Sequence, residues 1–171
     1  RNIIINGAMQ VAQRGTSDTG VTTSTFLLDR FHNVISGLGT WTLSQSTTAP
    51  DGFATSHKLE CTTKNDTPSS GHFFQFKHRI EGQNLQQLKY GTSSAETITI
   101  SFYVRSNKTG TYNLELLQPD ASNRHRSASY TINSADTWEQ KVITFTGDTS
   151  GVINNDNGEG MQVNWWLGSG S

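Results

Sequence analysis

The chain has one cysteine, three prolines, little charge and no long apolar run. A single thiol excludes an internal disulfide framework, so the hydrophobic core must hold the fold together. No stretch of 18 apolar residues occurs, and we therefore expect no membrane insertion. The net charge of -1 gives no electrostatic reason for nucleic-acid binding. Cys61 lies in a polar segment without a nearby base, which favours a buried, inert thiol over a nucleophile.

The local motifs that usually indicate catalysis are also missing. The sequence contains no glycine-rich phosphate loop, GxSxG, HExxH, paired CxxC or EF-hand pattern. No local pattern selects a facing pair of carboxylates, which glycoside hydrolysis requires. We therefore predict a protein that is not an enzyme, with no catalytic residues, no metal ligands and no cofactor. A polysaccharide depolymerase is the last alternative, and it would need an essential strand acid such as Glu115.

Helical periodicity is nearly absent, whereas alternation of apolar and polar residues is frequent. Residues 97–105 place Ile98, Ile100, Phe102 and Val104 on one side, as in a half-buried strand. Turn residues follow, and then residues 111–117 alternate in the same way. The two segments together predict a β-hairpin.

Further short segments have the composition of strands separated by polar turns. They are residues 3–5, 31–35, 41–44, 56–61, 72–80, 128–132, 138–145 and 161–167. Residues 84–89 alone suggest a single helical turn. This pattern predicts an all-β fold, an antiparallel β-sandwich of jelly-roll type with about nine or ten strands and at most one short helix. We expect one domain over residues 1–171, as a fragment of a longer protein.

The histidines and acids offer weak alternatives for ion binding. His72 and His78 could share a strand face, but further zinc ligands are missing, so surface or loop histidines are preferred. Asp148, Asp156 and Glu159 flank a Gly- and Asn-rich loop. They could hold a structural Ca²⁺, although solvated turn acids are the preferred interpretation.

Strand alternation identifies four candidate ligand-binding residues. Trp165 and Trp166 must point to opposite sides of their strand, and Trp166 faces outward if Trp165 faces the core. The same reasoning turns Tyr103, Arg105 and Glu115 outward. Exposed aromatic rings can stack on the apolar faces of sugars. An alternative, which the pattern favours for Trp166, is that a loop, a further strand or a neighbouring subunit covers the ring.

A small basic cluster, residues 124–126, begins a predicted strand. Two arginines with a histidine between them could bind an anionic sugar through bidentate contacts. The preferred interpretation is a solvated strand edge whose charges discourage aggregation.

Several segments resemble a family of bacteriophage and prophage tail-fibre or tail-associated proteins. Residues 6–16 (NGAMQVAQRGT) and 28–31 (LDRF) are similar to the opening of that family. The similarity continues through residues 79–82, 100–106 and 131–139, and so spans most of the chain. The ending at residues 165–168 departs from the family, whose members continue into at least one more strand.

The resemblance implies a jelly-roll domain similar to carbohydrate-binding modules, carried on a virion tail or otherwise extracellular. It implies a role in display or adhesion, with a cell-surface glycan as a possible partner and a homo-oligomer, such as a trimer, as the assembly. It implies no catalytic residues. A hypothesis that accompanies it is an ion-pair network of Arg14, Asp29 and Arg30 that ties the first loop to the sheet.

Two other non-catalytic functions remain open at this point. The chain could be a carbohydrate-binding module from a bacterial polysaccharide-degrading enzyme, in which case a glycosidase domain would share its reading frame. It could instead be a purely structural virion protein without a ligand, which predicts a large self-association surface and no aromatic groove.

Overall fold

The computed structural model describes residues 2–170, which form ten β-strands and three short 3₁₀ turns. The predicted all-β, antiparallel β-sandwich class is confirmed, and the number of strands is at the upper end of the expectation. The strands are β1 Ser17–Val21, β2 Phe31–Ser36, β3 Thr40–Ser46, β4 Ser56–Thr63, β5 Phe73–Glu81, β6 Ile98–Val104, β7 Gly110–Gln118, β8 Arg124–Ile132, β9 Glu139–Phe145 and β10 Glu159–Ser169.

The first two 3₁₀ turns take the place of the single helical turn predicted at residues 84–89. They lie at Gly82–Asn84, Gln86–Leu88 and Pro119–Ala121. Within residues 2–170, none of the helical segments has the length and apolar character needed to cross a lipid bilayer.

Hydrogen bonding joins the strands in the orders β1-β3-β4, β2-β5-β10-β7-β8 and β6-β9. The chain divides into two compact units. The first unit runs to His78 and resumes at Trp166, and the second unit is Arg79–Trp165. The expectation of a single domain over residues 1–171 stays a prediction.

The first unit has its own apolar core. Leu28, Leu43 and Phe74 are fully buried there, and the ring of Trp41 meets Phe74 edge to face at 4.7 Å. Strand β3 carries Leu43 on its inner side and pairs with β4, where Leu59 is the register partner. The alternation seen in these strands is what buries one row of side chains against the core.

Three expectations for the first unit are wrong. Residues 3–5 form no strand, and Ile5 is 50% exposed, because Asn6 and Met9 adopt left-handed conformations that turn the chain. His78 is fully buried in β5 rather than on the surface. Cys61 is exposed rather than buried, since the apolar part of β4 ends at Leu59.

Asp29 ties the first loop down through the backbone. Its Oδ2 accepts a hydrogen bond from the Gln13 amide at 2.7 Å, and the Asp29 amide donates to the Val11 carbonyl. The Arg14 guanidinium lies 5.4 Å from the ring centroid of Phe26. A carboxylate-to-amide bond and a cation–π contact therefore help to hold the loop, and the ion-pair network of Arg14, Asp29 and Arg30 stays a prediction.

The predicted hairpin of residues 97–105 with 111–117 is wrong. Strand β6 pairs with β9, with Ile98 opposite Phe145 and Ile100 opposite Ile143, whereas β7 pairs with β8. Both pairs bury one apolar side in the second unit. Alternation had indicated which side of each strand is buried, but it does not determine the hydrogen-bonding neighbour.

Aromatic rings pack between the two strand pairs of the second unit. Phe102 of β6 meets Tyr130 of β8 edge to face at 5.1 Å and Trp165 of β10 at 5.7 Å. Edge-to-face contacts of this kind add to the gain from burying the rings. They fix the core side of β7, β8 and β10, and so determine which side chains those strands turn away from the core.

Candidate ligand-binding face

Strand β7 separates an apolar side from a polar side. Leu114 and Leu116 are fully buried in the core of the second unit. Asn113, Glu115 and Leu117 alternate with them and stand on the other side of the strand. Glu115 therefore stands on the side opposite Leu114 and Leu116, as predicted, but it is 6% exposed and so is buried, and its contact with a ligand stays a prediction.

The neighbouring strands extend this polar side. Register places Glu115 opposite Ser127 and Leu117 opposite His125 on β8. On β10, Asn164 stands between two buried core residues, Val163 and Trp165. We define the polar face as the row of side chains that β7, β8 and β10 turn away from the core: Asn113, Glu115, Leu117, His125, Ser127, Ser129, Gln162 and Asn164.

A hydrogen-bonded cluster lies at the centre of the polar face. The Oε1 atom of Glu115 lies 2.7 Å from Nδ1 of His125. Its Oε2 atom accepts from Nδ2 of Asn164 at 2.9 Å. An ionised carboxylate can only accept, so Nδ1 of His125 carries the proton in this pair. We refer to these three residues as the Glu115 cluster.

Exposure within the Glu115 cluster increases from β10 to β8. Asn164 is 1% exposed and Glu115 is 6% exposed, whereas the side chain of His125 is 55% exposed. The Oδ1 atom of Asn164 is buried and has no hydrogen-bond partner. A buried acceptor without a donor is costly, so this atom favours a donor from a buried water molecule.

The two arginines beside His125 point to the other side of β8. Arg124 forms a bidentate pair with the buried carboxylate of Asp148, at 2.6 and 3.2 Å. Burial by itself would raise the pKa of Asp148, but hydrogen bonds from Arg124 and from the amides of Ser150 and Gly151 lower it to about 2. Arg124 thus pairs with a loop carboxylate while its side chain stays 48% exposed on the edge strand β8, which agrees with the preferred interpretation of a solvated, charged strand edge.

Arg126 is engaged in a similar way. Its Nη2 donates to the Tyr90 hydroxyl at 3.0 Å, its guanidinium lies 5.2 Å from the Tyr90 ring centroid, and Nη1 donates to the Thr146 carbonyl. His125 alone among the three basic residues of 124–126 belongs to the polar face.

Tyr103 and Arg105 lie on β6 and at its end, away from the Glu115 cluster. Tyr103 is 41% exposed on the outer side of the β6–β9 pair. Arg105 Nη2 forms a salt bridge with Asp136 Oδ1 at 3.1 Å, and its Nε donates to the Asp136 carbonyl. The structure therefore keeps Arg105 at a turn and does not bring it to Glu115.

Trp166 belongs to the first unit. It is partly exposed, as the alternation with buried Trp165 predicted. Its ring lies 5.8 Å from that of Phe73 at an angle of 54°. Contact of the Trp166 ring with a ligand stays a prediction.

The acids considered for calcium do not converge on one ion. Asp148 pairs with Arg124, and Glu159 pairs with Arg79 at 2.9 Å. Asp156 accepts from the Gly158 amide. Among the described residues, no group of three or more histidines, cysteines or acids is placed to hold a metal ion.

His125 and Asn164 were not selected from the sequence. His125 lay inside a cluster interpreted only by its arginines, and Asn164 lay in a strand interpreted by its tryptophans. The available signal was alternation, because it places His125 on the side opposite Arg124 and Arg126, and Asn164 on the side opposite Trp165.

No family model and no curated protein matches this sequence. Among solved structures, the chain is similar over 98% of its length to the enzymatically active domain of Bacteriophage CBA120 tailspike protein 4, with a TM-score of 0.51 and 14% identity. It spans 19% of that chain. It is also similar to the structure described as Family 16 Carbohydrate Binding Module-2, with a TM-score of 0.47, 17% identity and coverage of 99% of this chain and 91% of that one.

A further similar structure is described as "CBM4 structure and function". Its TM-score is 0.42 at 17% identity, with coverage of 97% of this chain and 74% of that one. At these identities the similarity concerns fold alone. The tailspike comparison shows that a solved phage protein contains this strand arrangement.

Proposed function

We propose that this chain is a non-catalytic module that recognises carbohydrate through the polar face of β7, β8 and β10. The observation that carries the proposal is the Glu115 cluster. A carboxylate, an imidazole and an amide are linked at 2.7 and 2.9 Å on one side of a rigid sheet. Side chains fixed in this way bind hydroxyl groups with little loss of conformational freedom.

The arrangement suits binding better than proton transfer. Both carboxylate oxygens of Glu115 already take part in hydrogen bonds to side chains of other strands. His125 is the exposed member, so a ligand would meet its ring first and the edge of Glu115 second. Ser127 supplies a further hydroxyl group along the same face.

We further propose that the module is part of a virion tail or tail fibre. The sequence resemblance to tail-associated proteins and the fold similarity to the phage tailspike domain both support this setting. The setting agrees with display or adhesion outside the cell. Assembly into a homotrimer is part of the same proposal, and light scattering on the purified chain tests it.

The direct test is a glycan array probed with residues 1–171 and with two single variants. We expect binding that His125→Ala abolishes, because this change removes the exposed hydrogen-bonding ring from the polar face. We expect Tyr103→Ala to leave binding unchanged, because Tyr103 lies on the outer side of the β6–β9 pair. Circular dichroism would establish that both variants remain folded.

The opposite result would select another face. Binding that survives His125→Ala and disappears with Tyr103→Ala would place recognition on β6, as the sequence pattern predicted for Tyr103 and Arg105. Binding that disappears only with Trp166→Ala would instead favour the Phe73–Trp166 pair. Absence of binding to every glycan, together with a stable oligomer, would favour a structural virion protein.

A further inference from the structure

Two Asn-Gly dipeptides occur in the chain, Asn6-Gly7 and Asn157-Gly158. Asparagine is chemically least stable in this setting, because the backbone nitrogen of the following residue can attack its side-chain carbonyl carbon. A following glycine has no Cβ to hinder that attack and lets the backbone rotate into the required geometry. The two dipeptides differ in how firmly the fold holds the asparagine side chain.

Three hydrogen bonds hold the side chain of Asn6. Its Nδ2 donates to the carbonyls of Val11 and Asp29, at 2.9 and 3.0 Å, and its Oδ1 accepts from the Val11 amide at 2.9 Å. Turning the side-chain amide towards the Gly7 nitrogen breaks these bonds. The fold therefore protects Asn6 from attack.

Asn157 lies in the bend that precedes β10. Its side chain is exposed, and within the part of the chain that the structure describes it forms no hydrogen bond. The Asp156 carbonyl accepts from the Gln83 amide at 2.8 Å, and the Gly158 carbonyl accepts from the Gly82 amide at 3.0 Å. These two bonds anchor the chain on either side of Asn157, while its own side chain is left to rotate.

The Gly158 nitrogen is accessible to the Asn157 side chain. Its N–H donates to Oδ1 of Asp156 at 2.9 Å, and Asp156 is itself exposed. An N–H bond lies in the plane of its peptide group, so this contact leaves both sides of that plane open to attack. The three atoms nearest to a Cβ placed on Gly158 all belong to Asp156. The nearest obstacle is thus an exposed carboxylate, which can move aside.

From these contacts, we propose that Asn157 is a modification site that deamidates without an enzyme. The Gly158 nitrogen gives its proton to hydroxide and bonds to Cγ of Asn157. The Cγ–Nδ2 bond breaks, and the leaving amine takes a proton from water and departs as ammonia. Water then opens the succinimide ring at either of its carbonyls, which yields aspartate or isoaspartate. The net reaction consumes water and releases ammonia.

Isoaspartate at position 157 should loosen the loop before β10. It lengthens the backbone ahead of Gly158 by a methylene group, and it adds a negative charge next to Asp156. Both changes displace the Gly158 carbonyl from the amide of Gly82, a buried residue. The Gly82 amide should then exchange its hydrogen with solvent ~10-fold or more faster, because it loses its hydrogen-bond acceptor.

Incubation of the full chain, residues 1–171, at mildly alkaline pH and 37 °C tests the inference. Peptide mapping by mass spectrometry measures conversion at each asparagine, and an isoaspartyl methyltransferase labels the isoaspartate product. We expect Asn157 to convert ~10-fold or more faster than Asn6, whose three hydrogen bonds oppose the reaction. The comparison is internal to one protein and needs no variant.

Two glycine variants test the attacking nitrogen. Gly158→Ala should slow the conversion of Asn157 by ~10-fold or more, because a Cβ hinders the approach of the nitrogen. That Cβ would lie 2.9 Å from Oδ1 of Asp156, an exposed side chain that can shift, so the variant should fold. Gly71→Ala is the matched control, since Gly71 is exposed and a Cβ there meets nothing within 4 Å. It should leave the rate at Asn157 unchanged.

Asn157 that remains intact, or that converts no faster than Asn6, would overturn the inference. An unchanged rate in a folded Gly158→Ala variant would do the same, because the nitrogen of residue 158 would not be the attacking group. Hydrogen exchange measured by NMR on the converted protein tests the loop, and a Gly82 amide as protected as before would contradict the loosening. Glycan binding plays no part in these readouts, so the inference and the proposed function succeed or fail separately.

Discussion

Acidification should weaken the first unit through two histidines: His78, which is fully buried, and the half-buried His57, whose ring nitrogens are both buried. Burial lowers the pKa of each from 6.5 to about 4, and the nearby charge of Arg30 contributes to the lowering for His78. The His57 ring stacks on Phe76 at 5.1 Å, and both of its nitrogens are buried without a hydrogen-bond partner. A proton added to such a ring finds no compensating group.

The sign and size of the effect follow from these pKa values. Above pH 6.5 both rings are neutral in the folded and the unfolded chain, and they do not change stability. Between pH 6.5 and about 4 the unfolded chain binds protons that the folded chain excludes, so stability falls as the pH falls. The change from 6.5 to about 4 corresponds to roughly 3 kcal/mol for each histidine, out of a typical ~5–15 kcal/mol for a whole domain.

Urea unfolding at several pH values measures this loss. Near pH 5 the two histidines together should give a slope of roughly 2.4 kcal/mol per pH unit in the free energy of unfolding. His57→Phe keeps an aromatic ring against Phe76 and removes one ionisable group, so it should halve the slope. Val11→Ala is the control, because it changes a 44% exposed side chain of the same unit that does not ionise, and the slope should remain.

Ring resonances in NMR spectra provide a second, direct readout. The rings of His57 and His78 should stay neutral in the folded protein until the pH approaches 4. A His57 ring that titrates between pH 6 and 7 in the folded state would show that water reaches it, and the reasoning would be refuted. An unchanged slope in the His57→Phe variant would lead to the same conclusion.

Three further changes test the packing and the loop contacts by urea unfolding. Leu43→Ala should lower the free energy of unfolding by ~2–5 kcal/mol, because it leaves a cavity at a fully buried site. Val142→Ala, at a 62% exposed site, should lower it much less. Gly39→Ala should cost more than Gly52→Ala, by at least ~1 kcal/mol. Both glycines have φ near 85°, but a Cβ at Gly39 would lie 2.1 Å from a backbone oxygen and one at Gly52 meets nothing within 4 Å. Asp148→Asn should lower the free energy of unfolding by ~1–3 kcal/mol at pH 7. The difference from wild type should shrink as the pH falls through about 2, where Asp148 becomes protonated. Equal stability of the two proteins at pH 7 would contradict this account.

Alternation in the sequence predicted most strands because it reports the burial of one strand side. Strand β1 could not be found in this way, since its residues, Ser17–Val21, are mostly polar and the strand is recognisable only by its pairing with β3. The burial of His78 was equally hidden, because β5 is buried on both sides over much of its length and shows no alternation. Pairing and two-sided burial depend on distant segments, which no local pattern contains.

The candidate site, too, was predictable only in the features that local alternation reports. The outward direction of Glu115 was predictable from Leu114 and Leu116, which flank it. Its burial was not, because its partners lie 10 and 49 residues away in sequence, at His125 and Asn164. The engagement of Arg124 likewise depends on Asp148, 24 residues away. A short segment can indicate the side on which a charged residue stands, but only the folded chain determines what that residue meets.

The position of the Glu115 cluster on its sheet is itself an argument about function. Desolvating a carboxylate is costly, and replacing buried polar groups by well-packed apolar residues is often neutral or stabilising. The opposite side of β7 shows that apolar residues, Leu114 and Leu116, pack well in this strand. The fold therefore has no evident need for an acid, an amide and an imidazole on its polar side. This argument supports our proposal that the hydrogen-bonded cluster, which leads outward to an exposed ring, binds a ligand.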